Sequence, residues 1–248
     1  MTGQPLAVVS GGTKGIGLAL SGRLVKLGYR VLAPYRRDEA AAQHATELHG
    51  ELLVPVRMDV GDAEAVSTHA AGWLDRYGPP EVLVNNAGIN IDRPFLQLSA
   101  QDWRAVLDTN LSAAFYLTRA LAPAMLAAGR DGAVINIGAT TGIRPRLNGA
   151  NYCASKAGLL QLTKCLALEL APRIRVNCLI PGMTETAELV DRFQLDDPAA
   201  RSAVVEQIPL ARIGTPEQVA DALEFLIGPA GTYITGQKLI VDGGQFMW

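Results

Sequence analysis

Seven short apolar runs recur along the 248-residue chain, at 6–10, 30–34, 52–58, 82–85, 133–138, 175–180 and 238–241, with helix-like segments between them. The runs are nearly continuous rather than alternating. Val82-Leu83-Val84 and Val134-Ile135-Asn136-Ile137 leave no polar face, as expected of strands covered by helices on both sides. Strands that alternate with helices imply right-handed crossovers and a parallel sheet. The pattern therefore predicts a doubly wound α/β plan with seven strands. Helices are expected at 16–27, 38–48, 63–77, 100–128, 150–170 and 216–227, the fourth long enough to be two pieces. Ser99 before Ala100-Gln101-Asp102 and Thr215 before Pro216-Glu217 mark two helix starts by their capping chemistry. Residues 183–214 are irregular, but Leu189, Val190, Phe193, Leu195, Val204 and Val205 suffice for short amphipathic helices. A segment of this kind beside a pocket often acts as a lid.

Composition refines this picture. With 49% apolar and 19% charged residues the chain has ample material for a core, and its length fits one α/β domain over 1–248. A formal charge of −2 gives no footprint for nucleic acid, and no basic run marks a membrane surface. The start, Met1-Thr2-Gly3-Gln4-Pro5, has no charged leader, and the apolar stretch from Leu111 to Met125 is interrupted by Arg119 and Pro123. Cys153, Cys165 and Cys178 are odd in number and lie in apolar stretches, which fits reduced thiols in a cytoplasmic protein. His44, His49 and His69 show no ligand spacing, so no metal is expected.

The candidate chemistry begins at Ser10-Gly11-Gly12-Thr13-Lys14-Gly15-Ile16-Gly17, between the first run and the first helix. In a strand–turn–helix setting glycines permit a tight turn, and free amides at the helix start face a pyrophosphate. Gly11, Thr13, Lys14, Gly15, Ile16 and Gly17 are thus candidate dinucleotide contacts, with a plain turn as the simpler alternative. An acid at the end of the second strand would bind a ribose diol and repel a 2′-phosphate. The chain has Arg36 and Arg37 there, with Lys14 nearby, which favours NADPH/NADP+; the alternative is that Asp38 and Glu39 neutralise solvated arginines. Further on, Tyr152 and Lys156 are four residues apart in a predicted helix. They share a face, so the ammonium is expected to favour the ionised phenol.

Together these residues resemble the short-chain dehydrogenase/reductase family over essentially the full length, most of all its 3-oxoacyl-[acyl-carrier-protein] reductases. The matching elements are the Ser10–Gly17 loop, Asn85-Asn86-Ala87-Gly88, Tyr152 with Lys156, and Pro181-Gly182. The resemblance implies a Rossmann-type sheet of order 3-2-1-4-5-6-7. It places Asp59 and Val60 beside the adenine and Asn86, Ala87 and Gly88 under the cofactor. Pro181, Gly182, Thr184 and Thr186 would hold the carboxamide and phosphates, and Lys156 the nicotinamide ribose. Tyr152 is then the proton donor and Asn110 the support of a water-linked relay. Segments 233–236 and 241–244 match parts of a homotetramer interface.

The pattern breaks at one position. The family's catalytic serine stands thirteen places before the tyrosine, and here that place is Ala139, with no gap in Ile137-Gly138-Ala139-Thr140-Thr141-Gly142. A methyl group cannot donate to the substrate oxygen, and one lost donor typically costs about 10²–10³ in rate. Three readings follow. Thr140, Thr141, the substrate or a water replaces the serine; or the site reduces an activated enone, iminium or quinone-like substrate; or the chain is an NADPH-binding subunit or sensor, or an altered copy of an ordinary reductase. Arg144, Arg146 and Asn148 lie in the loop where substrate would enter, the arginines facing an acidic substrate, a carrier phosphopantetheine or solvent. Arg130 and Arg173 fall near carrier-docking positions of the family. The expected substrate is an acyl-carrier-linked 3-oxo thioester, with a small-molecule secondary-metabolite ketone second.

Overall fold

The computed structural model describes residues 4–247, so the expectation for the chain start at 1–3 lies outside the described residues. Strands β1 (Leu6–Val9), β2 (Arg30–Tyr35), β3 (Leu53–Arg57), β4 (Val82–Asn85), β5 (Gly132–Ile137), β6 (Ile174–Pro181) and β7 (Lys238–Val241) form one sheet. Its order is β3-β2-β1-β4-β5-β6-β7, and every neighbouring pair is parallel. Successive strand residues face opposite sides. Leu83 and Val134 pack with Val66, Trp73, Leu117 and Met125, while Val82, Val84 and Ile135 pack with Leu20, Leu24, Val219 and Leu223. Both faces are dry, which is why the strand sequences show no alternation.

The first face is covered by α3 (Ala63–Tyr77), α5 (Ala113–Ala127) and α6 (Ala150–Leu170), and the second by α1 (Gly15–Lys26) and α9 (Pro216–Ile227). Helix α2 (Glu39–His49) joins β2 to β3, capped by the Asp38 carboxylate accepting from the Ala41 amide. The predicted helix at 100–128 is indeed two pieces. Between α4 (Ala100–Leu107) and α5 lies a π turn, Asp108–Ser112, whose Asn110 is buried. The Asn110 Oδ1 accepts from the Ile89 amide at 2.8 Å and its Nδ2 donates to the Ile89 carbonyl at 3.0 Å. The widened turn lets this side chain point inward without leaving the helix.

The segment expected to act as a lid forms two short helices, α7 (Ala187–Phe193) and α8 (Pro198–Val205), around Leu195, Ile208 and Ile213. A parallel bridge between Thr184 and Gly214 closes its base. Among the described residues no helix is long and apolar enough to cross a membrane, and no group of three or more His, Cys, Asp or Glu is placed to hold a metal.

Buried asparagines interrupt the apolar strands, and those of β4 and β5 bond to each other. Asn85 Nδ2 donates to Asn136 Oδ1 at 2.8 Å and to Thr118 Oγ1 at 3.3 Å, and Asn136 Nδ2 donates to Thr163 Oγ1 at 2.9 Å. The ladder ties β4 and β5 to α5 and α6 just beneath the end of the sheet that carries the site. Asn136→Ala leaves the Asn85 amide only its longer bond to Thr118 and the Thr163 hydroxyl only its bond to the Leu159 carbonyl, and should cost about 1–3 kcal/mol of unfolding free energy. Urea denaturation checks this: a loss under about 1 kcal/mol would show that the neighbours re-pair without it.

Candidate active site

The glycine loop sits where it can receive a dinucleotide. Gly11 has φ +64°, and a Cβ on Gly17 would collide with the Gly11 carbonyl oxygen, so the loop closes only with glycine at these points. Lys14, the N-cap of α1, makes no side-chain capping bond, and the first turn carries no acid. The amides at the start of α1 are therefore not answered by a cap, as an anion site requires. Thr13 is buried, Ile16 half-buried, and Thr186 Cγ2 would lie 3.4 Å from a Cβ on Gly15, which places the lid's first residues across the loop. Ser10 Oγ accepts from the Asn86 and Ala87 amides, both at 3.0 Å, and Asn86 Nδ2 donates to the Ser10 and Gly11 carbonyls at 2.9 and 3.1 Å. Ser10 thus does the tying between β1 and β4 loops. A pyrophosphate and its two nucleosides fit this donor set.

At the adenosine end the charges are paired, but not as expected. Lys14 bonds to Asp38 at 3.0 Å, Arg36 to Asp59 at 3.4 Å, and Glu39 takes Arg57 at 2.8 Å rather than Arg36 or Arg37. All these side chains are substantially exposed, so the pairs are weak and exchangeable. Asp59 also accepts from the Gly61 amide at 2.9 Å, and Val60 is buried beside it.

At the other end, α6 carries Tyr152 and Lys156. A Cβ on Gly88 would lie 3.5 Å from Asn110 Oδ1 and 3.8 Å from Lys156 Nζ, so Gly88, Asn110 and Lys156 share one small volume. Asn110 Nδ2 also reaches Ser155 Oγ at 3.2 Å. Lys156 is 4% exposed and donates to the Ile137 carbonyl at 2.7 Å; its Nζ is 5.8 Å from the centre of the Tyr152 ring. Burial lowers Lys156 to about 8. Burial pushes Tyr152 up to about 12, with Arg146 and Arg192 pulling the other way and Glu188 adding to the rise. Burial thus pushes both groups towards their uncharged forms, and the Lys156 ammonium has the Ile137 carbonyl as its hydrogen-bond partner.

Pro181 ends β6 and Gly182 donates its amide to the Val241 carbonyl at 2.9 Å. Thr184 is buried with its hydroxyl on the Gly182 carbonyl at 3.2 Å, and Thr186 caps α7 by accepting from the Leu189 amide. At the end of β5, Ala139 precedes a tight turn, Thr140–Gly142, that packs on α6: a Cβ on Gly142 would come within 2.7 Å of the Lys156 backbone. Thr141 Oγ1 in this turn is buried and has no hydrogen-bond partner among the described residues.

The entrance loop departs from its sequence reading. Arg146 does not face solvent or a substrate acid; it is half-buried and bound to Asp92. Asn148, at φ 59°, joins the loop through its carbonyl, which accepts from the Arg93 amide at 2.9 Å, and Arg144 lies exposed. Arg130 is paired with Glu81 at 3.0 Å and bonded to the Pro79 carbonyl at 2.9 Å, and Arg173 lies 3.7 Å from Asp131. Glu188 and Arg192, which lie near Tyr152, and Asp92, which pairs with Arg146 and Arg192, carried no motif; only their convergence in space marks them.

Three comparisons bear on identity. The family described as "Enoyl-(Acyl carrier protein) reductase" matches residues 11–245. The 3-oxoacyl-[acyl-carrier-protein] reductase of Vibrio cholerae is 33% identical over 243 residues, covering 98% of this chain and 97% of that protein. The 3beta-hydroxysteroid dehydrogenase 1 of Eggerthella lenta is 38% identical over 245 residues, covering 97% and 93%. The crystal structure of a short chain dehydrogenase from Bacillus anthracis superposes with a TM-score of 0.86 at 28% identity, covering 97% of this chain and 96% of that one. These names span three substrate types but one scaffold and one arrangement along the chain, and the chain belongs to the short-chain dehydrogenase/reductase family.

Proposed function

We propose that the protein is an NADPH-dependent ketoreductase acting on a 3-oxoacyl thioester. The observation that carries this is the gathering of Tyr152, Lys156, Asn110 and Gly88 at the sheet end beside the glycine loop, with Glu188 and Arg192 of α7 near the phenol. The dinucleotide supplies a hydride to the ketone carbon when bound. The Tyr152 phenol donates its proton to the oxygen on which charge develops. Lys156 Nζ is within reach of the same volume for the nicotinamide ribose, and the polar cluster of Asn110 and Ser155 leads inward from it. Relatives named as 3-oxoacyl-[acyl-carrier-protein] reductases, at 33% and 36% identity, support the thioester substrate. The steroid dehydrogenase relative at 38% identity favours a second reading, a bulky small-molecule ketone. Exposed Leu168 and Tyr233, near the expected interface segments, support assembly as a homotetramer. The absence of a membrane-crossing helix among the described residues is compatible with a cytoplasmic setting.

Ala139 leaves the substrate oxygen short of one donor, and Thr141 supplies it. Its hydroxyl is the buried unpartnered group of the same turn, and a buried hydroxyl without a partner is costly unless function employs it. Thr141→Val should lower kcat by about 10²–10³ while KM changes little. Adding Ala139→Ser to Thr141→Val should restore most of the rate, since the second donor then comes from the family's usual position. Full activity in Thr141→Val would remove Thr141 from the reaction. NADPH consumption with 3-oxoacyl thioesters and cyclic ketones is the assay, and tight NADPH binding without turnover on either class would count against an enzyme.

Cofactor choice follows from the adenosine end. A 2′-phosphate can take Lys14 and Arg37 more strongly than the exposed carboxylates do, because it carries more charge and accepts several bonds. The double variant Lys14→Ala, Arg37→Ala should raise KM for NADPH about tenfold or more and leave that for NADH within about twofold. Equal changes for both cofactors would argue against a phosphate pocket here.

A further inference from the structure

Tyr152 is held by a charged network that the family motif does not contain. Arg146, in the loop between β5 and α6, lies over the phenol ring with its Cζ 5.5 Å from the centre. Its other side packs on Gly149, where an added Cβ would come within 3.0 Å of the same carbon. The guanidinium donates to both Asp92 carboxylate oxygens at 2.6 Å and to Asn90 Oδ1 at 2.7 Å. Arg192, on the lid helix α7, donates to Oδ2 of the same carboxylate. Burial alone would raise Asp92, yet Arg146 and then Arg192 hold it below the usual carboxylate range, so the hub stays ionised. Three segments distant in sequence therefore meet at one charge: the loop after β4, the loop after β5, and the lid.

We infer that Arg146, fixed by Asp92 and Asn90, is the positioning residue of Tyr152, orienting its ring and supplying the permanent positive charge that favours the tyrosinate. The inference rests on Tyr152 being the proton donor proposed above. The groups facing the phenol are Arg146 from the entrance loop, Arg192 and Glu188 from α7, and Cys153 and Lys156 from α6. Burial lowers Lys156 and so weakens its hold on a proton, whereas an arginine keeps its charge throughout. Glu188 opposes the anion, and Arg192 favours it, both from α7. Of the two arginines, Arg146 is the one whose guanidinium lies over the ring.

Two neutral variants, Arg146→Gln and Arg146→Met, and the charge-keeping Arg146→Lys test this in the full chain. In oxidation of a 3-hydroxyacyl thioester with NADP+, Tyr152 is the base and the rate rises with pH. Removing the cation raises the phenol's pKa, so the rising limb should move to higher pH by about one unit in both neutral variants and by a few tenths in Arg146→Lys. A limb that superimposes on the wild type, even at a lower overall rate, would overturn the inference. The second readout needs no turnover: phenolate absorbance after rapid pH jumps, with the corresponding Tyr152→Phe trace subtracted from each chain. An upward shift in the neutral variants supports the role of Arg146, and no shift refutes it. A shift in absorbance with no turnover by the wild type on any ketone or alcohol would sink the proposed reductase activity and leave the role of Arg146 standing.

Discussion

A parallel sheet buried on both faces can present polar backbone and working side chains only at its ends, and this one reverses its strand order at β1. From β1 the chain builds outward to β2 and β3, then returns to β4 and builds the other way. The loops after β1 and β4 therefore part at that point and leave a crevice between them. The glycine loop follows β1, Asn86 to Gly88 follow β4, Ala139 to Gly142 follow β5, and Pro181 with the lid follows β6. Residues up to 175 positions apart, Gly11 and Thr186, come to one edge because the topology sends every such loop there. The site is a consequence of the sheet, and the chemistry is a matter of which side chains those loops carry.

The same dryness sets the electrostatics. Under the edge, Asn85, Asn136, Thr118 and Thr163 are hydrogen-bonded to one another, which ties the ends of β4 and β5 together. At the edge itself Lys156 is nearly as buried as the core, which favours its neutral form, and Tyr152 is pushed in the same sense. Two groups each driven towards neutrality make a poor proton-transfer pair unless another charge intervenes. Arg146 lies over the phenol ring, where its charge can do so, and is itself kept in place by a carboxylate that accepts from it twice. Burying an arginine without that partner would be far more expensive than any gain at the phenol.

Much of this was legible in the residues. The apolar runs located all seven strands to within a residue or two, because a sheet covered on both sides imposes unbroken hydrophobic stretches whatever its neighbours. The glycine loop, Asn86 to Gly88 and the Tyr152–Lys156 pair were readable because steric and proton-transfer demands fix residue type and spacing locally. The π turn at 108–112 was not, since it arises from Asn110 bonding across to Ile89, a contact with no local signature. The roles of Asp92 and Arg192 were hidden for the same reason. Arg146 looked like any loop arginine; it is half-buried only because Gly149, the Tyr152 ring and Asp92 surround it. The pairing of Lys14 with Asp38 and of Glu39 with Arg57 likewise depends on how the β2 and β3 ends twist past each other, which charge counting along the chain does not encode.

The departure at Ala139 and the network around Arg146 are linked by position. Both lie in the stretch from β5 to α6, one at its start and the other near its end. A serine at 139 would give the substrate oxygen a donor and so reduce how much negative charge the phenol must neutralise in the transition state. Without it, more of that work falls on Tyr152, and a phenol that ionises more readily gives up its proton earlier along the reaction. A fixed cation over its ring acts in that direction, and one tied through Asp92 to the lid does so most strongly when the site is closed and water is excluded. In the proposed reaction Thr141 would give the substrate oxygen its donor and Arg146 would ease ionisation of the phenol, so one loop would serve both ends of the proton transfer.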